Sequence, residues 1–148
     1  NGKSTVPPVS IDNIDLSWGF SGGKRIRAAG FGASNPNGQV YPTELYHADL
    51  EYVSPNACKA KMGAGNMNDN MMCAIGDGQD SCYGDSGGPL FDTQSKKVVG
   101  LVSWGFGCAI PDMPTAYARV ASQVEWIKGV VCSSDPPHPQ FCGGKLID

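Results

Sequence analysis

The sequence predicts an all-β fold, an antiparallel barrel or sandwich finished by one helix near the C-terminus. Three observations carry that expectation. With 20 glycines and 11 prolines in 148 residues, there is little room for long helices. Short apolar segments recur between Gly, Asn and Pro turns. Sustained helical spacing of apolar residues is clearest near residues 121–131.

The length fits one domain with a real core. A chain that is 41% hydrophobic and 17% charged is globular in composition, without disordered or coiled-coil character. A net charge of −3 argues against a nucleic-acid partner. No run approaches the ~18 apolar residues of a membrane helix, so no membrane partner is expected.

In order along the chain, residues 1–24 read as a linker-like lead-in carrying Pro7-Pro8 and Gly22-Gly23. Strands are expected at Arg25–Phe31, Glu44–Leu50, Met71–Ala74, Val98–Trp104 and Thr115–Val120. Turn chemistry separates them at Asn35-Pro36-Asn37-Gly38, Gly63-Ala64-Gly65-Asn66 and Pro111-Asp112. Ser54-Pro55 reads as an N-cap followed by Pro at the first helical position, opening a short helix to about Met62. A second helix over Ala121–Val131 places Val124, Ile127, Lys128 and Val131 at helical spacing. The folded unit is thus 25–131, and residues 132–148 form a Pro/Gly-rich tail, expected to be looped by Cys132–Cys142.

Six cysteines in a chain this short point to disulfides and an oxidising, extracellular setting. They are Cys58, Cys73, Cys82, Cys108, Cys132 and Cys142, and six cysteines allow 15 pairings. The rival reading is zinc, but the spacings lack the close pairs of zinc sites, and only His47 and His138 could assist. No metal and no cofactor are expected. Gly2-Lys3-Ser4 imitates the end of a phosphate-binding loop without its upstream glycine or its helix. Asn66-Met67-Asn68-Asp69-Asn70 lacks the central glycine and downstream glutamate of a calcium loop and reads as a solvated turn.

The stretch YGDSGGP at 83–89 surrounds one serine with glycines. Glycine permits the left-handed angles that point successive N–H groups into one pocket, and it lets a substrate backbone approach. Such a pocket would stabilise an oxyanion beside Ser86. An ordinary Gly-rich turn accounts for GDSG alone equally well.

The surroundings decide between them. DSCYGDSGGP at 80–89, VSWGFGC at 102–108, AYARV at 116–120 and QVEWI at 123–127 resemble the chymotrypsin/trypsin family of serine endopeptidases. AAGFG at 28–32 and PNAC at 55–58 are weaker matches, and the resemblance runs in order over roughly residues 6–131. It implies the second of that family's two barrels, a six-stranded antiparallel Greek-key barrel with a C-terminal α-helix.

Position by position, the resemblance makes Ser86 the nucleophile and the N–H groups of Gly84 and Ser86 the oxyanion donors. Asp85 becomes the residue that receives a new N-terminal ammonium on zymogen cleavage, not the triad aspartate. Asp80 falls at the floor of the specificity pocket, where a carboxylate favours Lys or Arg, with Ser81 as a further acceptor. Ser103, Trp104 and Gly105 form the edge that pairs with substrate, and Gly107 and Thr115 complete the pocket wall. Cys58–Cys73 and Cys82–Cys108 match family disulfides. Thr115 departs from the pattern: Arg/Lys-cleaving members carry glycine there, and a β-branched side chain would shorten the pocket and reach Asp80. Ile26 and Asp92 occupy the two halves of a third disulfide found in many relatives, while Ser10 and His47 stand where some relatives place cysteines.

The mechanism also needs an imidazole base and a carboxylate to orient it. His47 lies on a predicted strand and His138 in the tail, and neither matches the family's histidine motif, which belongs to the first barrel. The leading expectation is the C-terminal portion of a secreted serine endopeptidase whose N-terminal barrel supplies His and Asp. NGKSTVPPVS, with no initiator Met and no apolar signal, fits that reading. This chain alone is then expected to be inactive. Its partners would be protein or peptide substrate, the N-terminal barrel and protein protease inhibitors. The competing readings are a noncatalytic protease-like binding module and a noncovalent two-chain enzyme.

Overall fold

The computed structural model describes Ile11, residues 22–133 and Cys142. His138, Ser10 and most of the lead-in and tail lie outside the described residues. Among the described residues there are six strands: β1 (Arg25–Gly30), β2 (Tyr46–Val53), β3 (Met71–Ile75), β4 (Pro89–Asp92), β5 (Val98–Trp104) and β6 (Thr115–Arg119). They close into a barrel in the order β1-β2-β3-β6-β5-β4, with every pair antiparallel. Closure leaves no long unpaired edge. The barrel is the one expected, and the choice between barrel and sandwich is resolved.

Alternation is clearest in β2, whereas β3, β5 and β6 each bury three residues in a row. In β2, Ala48, Leu50 and Tyr52 are buried while His47, Asp49 and Glu51 are exposed. Those inward residues join Ile26, Met72, Leu90, Val99, Val102 and Tyr117 in the barrel interior. β2 runs three residues past its expected end because Tyr52 and Val53 continue the alternation and pair with Ala74 and Cys73. β4 was not expected. It has only four residues, opens on proline and directly follows Gly87-Gly88, so no local signal marks it. Its pairing with β1 sets Ile26 directly opposite Asp92, which places the two departures from the family's third disulfide side by side.

Helix α1 (Pro55–Met62) begins as predicted. The Ser54 side chain accepts from the Ala57 N–H at 3.4 Å, and Pro55 occupies the first turn. Its Cys58 and Met62, four apart, bury against Met67, Cys73 and Ala116. The Cys58–Cys73 disulfide ties α1 to β3. The expected second helix starts differently: Val120–Gln123 is a 3-10 turn, and α2 covers Val124–Val131. Gln123 makes no side-chain cap bond, so nothing there fixes an α-helical start. Cys82–Cys108 and Cys132–Cys142 are also bonded. No helix among the described residues is long and apolar enough to cross a membrane.

Candidate active site

The loop from Cys82 to Gly88 is two tight turns in succession. Asp85 N–H donates to the Cys82 carbonyl at 3.0 Å, and Gly88 N–H donates to the Asp85 carbonyl at 2.8 Å. Gly87 N–H and the Gly88 carbonyl then pair with Val102 of β5 at 2.9 Å each, stitching the loop to the barrel. Gly84 and Gly87 hold φ of +93° and +79°, angles that glycine adopts without strain. At Gly84 the space is closed as well: a Cβ would lie 3.2 Å from the Tyr41 ring and 3.3 Å from Gly32 Cα.

This folding pattern leaves three donors over. In the loop, the N–H groups of Cys82, Asp85, Gly87 and Gly88 are used by the Asp85 carboxylate, the turns and β5, whereas those of Tyr83, Gly84 and Ser86 donate to nothing among the described residues. Ser86 is exposed. Its side chain opens onto a cleft of about 250 Å³ lined by Ser81, Ser103, Trp104, Gly105, Gly107 and Thr115. The structure therefore brings the nucleophile candidate and six of the seven predicted substrate-binding residues to one place.

The far wall of the cleft is shaped by a bulge. β5 pairs with β6 through Val102↔Tyr117 and then Trp104↔Ala116, so Ser103 is an extra residue outside that ladder. On its other side, the pairing of β5 with β4 ends at Pro89↔Leu101. Past the Val102 contacts, Ser103–Gly105 thus keep one side of the backbone unpaired by the barrel. Trp104 and Phe106 pack edge to face at 5.8 Å and steady this segment.

Asp80, the seventh residue, does not line the cleft. It lines a second cavity of about 240 Å³ behind the loop, together with Asp85, Gly30, Gly32 and Ala109. Thr115 stands between: its hydroxyl donates to Asp80 Oδ2 at 2.8 Å. Ala109 N–H donates to the same oxygen at 3.0 Å, and Ser81 N–H donates to Oδ1 at 2.8 Å. Burial pushes the Asp80 carboxyl above its ordinary value and outweighs these donors, with Asp85 adding a like charge. Ser81 and Tyr117 share a buried hydrogen bond of 2.9 Å, and burial raises the Tyr117 hydroxyl well above its usual range.

Asp85 faces away from the cleft. Its Oδ1 accepts from Gly32 N–H at 2.8 Å and its Oδ2 from Cys82 N–H at 2.9 Å. Gly30 and Gly32 press against it so closely that a Cβ on either would overlap its carboxylate. Gly30 and Gly32, Ala109, Tyr41 and Tyr117 were not singled out as site residues. AAGFG held the available signal, two glycines one residue apart at the end of a strand, where a close approach explains glycine better than a turn does.

His47 is not brought to Ser86. It lies on β2 opposite Ala29, exposed, with Nε2 3.9 Å from Asp49 Oδ2, and it lines the rear cavity rather than the cleft. Among the described residues, no group of three or more His, Cys, Asp or Glu side chains is placed to hold a metal ion.

Known proteins resemble this chain in sequence and in fold. A family model described as Trypsin matches residues 2–127. The chain is similar to Trypsin-1 of Astacus astacus, at 40% identity over 85% of this chain and 53% of that protein. It is also similar to Cationic trypsin-3 of Rattus norvegicus, at 36% identity over 85% and 50%. Among solved structures it resembles neuropsin, a serine protease expressed in the limbic system of mouse brain. That match has a TM-score of 0.76 at 30% identity and covers 88% of this chain and 56% of that one. The chain spans about half the length of the curated relatives it matches. A closed six-stranded barrel with its helix, matched in fold to a serine protease, and a family model that covers most of the sequence lead to one conclusion: the chain belongs to the trypsin family.

Proposed function

We propose that this chain is the C-terminal portion of a secreted serine endopeptidase in which Ser86 is the nucleophile. The observation that carries the reading is the exposed Ser86 on the cleft, with its own N–H and that of Gly84 donating to nothing among the described residues. Ser86 Oγ attacks the scissile carbonyl carbon and gives its proton to an imidazole supplied by an N-terminal barrel outside these residues, which also supplies the orienting Asp. The carbonyl oxygen, now anionic, accepts from Gly84 and Ser86 N–H, and losing one such donor costs ~3 kcal/mol of transition-state stabilisation. Collapse of the intermediate expels the amine, which takes the imidazole proton, and water then releases the acyl group from Ser86.

Substrate backbone aligns along the unpaired side of Ser103–Gly105, as an added strand would. Asp85, clamped behind the loop at the rear cavity, receives the new N-terminal ammonium after zymogen cleavage and so holds the oxyanion loop in shape. Tyr41 and Tyr83 are large, exposed and close to the loop, which fits a face that the first barrel covers. Protein protease inhibitors would enter the same cleft as substrates.

A fluorophosphonate probe tests the proposal on the full-length secreted protein, on this 148-residue chain and on the Ser86→Ala variant. Labelling is expected only in the full-length protein, and Ser86→Ala is expected to abolish it and to lower turnover ~10⁶-fold. Equal labelling of the isolated chain, or none of the full-length protein, would sink the proposal.

A further inference from the structure

The cleft beside Ser86 is pinched partway down, and its width can be bounded. Gly105 and Thr115 face each other across it, so that a Cβ built on Gly105 would lie 3.1 Å from Thr115 Oγ1. A carbon–carbon bond adds only ~1.5 Å, which puts Gly105 Cα and Thr115 Oγ1 no more than ~4.6 Å apart. A methylene passing between two walls needs ~3.5 Å or more to each, ~7 Å in all. No side chain extends past this level while Thr115 stays where it is.

Thr115 is also held there. It is buried at 5% exposure on β6, its β-branched side chain is stiff, and its hydroxyl is engaged with Asp80. Turning it aside would remove one of three donors from a largely buried carboxylate, which is costly without a replacement. Thr115 thus does two things at once. It closes the route to Asp80, and it supplies from inside the protein a donor that a substrate cation would otherwise bring.

We propose that the cleft selects a short uncharged side chain, between Ala and Val in size, on the acyl side of the scissile bond, and that Thr115 sets this limit. The proposal rests on the reading of Ser86 as nucleophile. Asp80 then serves to hold Ser81, Ala109 and Thr115 in place and does not meet the substrate. This departs from the Arg/Lys preference that the family resemblance implies.

The test uses the full-length protein and peptide substrates that differ only in the residue before the cleaved bond. Turnover, as kcat/KM, is expected to favour Ala and Val over Arg and Lys by at least ~100-fold, a ratio within what pocket fit delivers. Thr115→Gly should raise turnover of the Arg substrate at least ~100-fold, with Thr115→Ala as a smaller step should the glycine variant fail to fold. Comparable or better turnover of Arg by the unmodified protein overturns the proposal. Calorimetric binding of benzamidinium, a planar cation, gives a readout independent of catalysis. The unmodified protein should not bind it, and Thr115→Gly or Thr115→Ala should. If no peptide is cleaved and no fluorophosphonate label is taken up, the protease reading has failed. The calorimetry then decides the cleft alone: binding by the unmodified protein overturns the size limit, and binding only after substitution upholds it.

Discussion

Strand β4 joins two ends of the barrel that treat buried carboxylates in opposite ways. Before it lies the glycine-rich loop, with Asp80 and Asp85 held by N–H groups and one hydroxyl. After it comes the turn from Asp92, whose carboxylate accepts from Gln94 N–H at 3.0 Å and Ser95 N–H at 3.3 Å and also meets Lys24 Nζ at 3.3 Å. Burial pushes both Asp80 and Asp92 upward. At Asp92 the hydrogen bonds from Gln94, Ser95 and Lys24 outweigh burial, and its pKa ends below the ordinary value. At Asp80 burial wins, and the charge acting on it is another carboxylate. The balance between burial and hydrogen bonds therefore sets the direction at each carboxylate, with the Lys24 ammonium adding to the bonds from Gln94 and Ser95 at Asp92. One end is closed on itself, while the other borders the cleft beside Ser86.

Removing Asp92 should give the largest effect. Its side chain is 4% exposed, and taking away one partner of a buried pair costs ~3 kcal/mol or more. Lys24, at 26% exposure, can regain part of its hydration, which places the expected loss for Asp92→Ala near the lower end, about 3 kcal/mol. The urea midpoint of the full-length protein measures it, at unchanged m-value. A loss under ~1 kcal/mol would break the contrast between the two ends, because Lys24 would then be incidental. The same experiment bears on the position of the family's third disulfide, since Asp92 sits opposite Ile26.

The open end should be less costly to disturb, but the disturbance should reach Ser86. In Gly32→Ala the new Cβ falls inside the Asp85 carboxylate, which must leave Gly32 N–H and Cys82 N–H. Hydrogen bonds to a charged group are worth ~1.5–3 kcal/mol each, and the adjoining cavity lets water recover part of that. The expected loss is about 2 kcal/mol, with fluorophosphonate labelling of Ser86 slowed at least ~10-fold. Gly129→Ala is the control: nothing lies within 4 Å of its Cβ, and Ala in an exposed helix should add ~0.5–1 kcal/mol. Slowed labelling in both variants would mean that Asp85 does not shape the loop.

These two ends were unequally legible in the sequence. The loop was readable because its constraint is local: Gly84 and Gly87 stand where the backbone takes positive φ, and glycine is what such angles select. Short apolar segments between Gly, Asn and Pro turns likewise mark five strands, and Ser54-Pro55 marks α1. β4 escaped because its four residues are a strand only through the partners β1 and β5. Asp92 was noted only as a departure from the family's cysteine, and its ion pair with Lys24, 68 positions away, leaves no pattern in sequence. The family resemblance puts Asp80 at the pocket floor, because it carries roles over by position along the chain. Whether a carboxylate faces a cleft or hides behind a threonine depends on the β5 and β6 walls, which meet only in the folded barrel.

The smallest expected effect is also the one that separates the two carboxylates by sign. Asp92 has a lowered folded pKa, so its stabilisation is present above the unfolded value of ~3.9 and is lost as pH falls through the folded one. Asp80 has a raised folded pKa, so its contribution is present below ~3.9 and is lost as pH rises through the folded value. In the unmodified protein the two trends oppose each other, and a flat profile between mildly acid and neutral pH would hide both. Isosteric neutral variants unmask them. The stability lost on Asp92→Asn should shrink as the medium is made acid, whereas the stability lost on Asp80→Asn should shrink as it is made neutral. Urea midpoints taken across that range give both slopes. Slopes of the same sign would mean that burial and hydrogen bonds are not balanced in opposite ways at the two ends of β4. They would also mean that Asp80, behind Thr115, is better compensated than its three neutral donors allow.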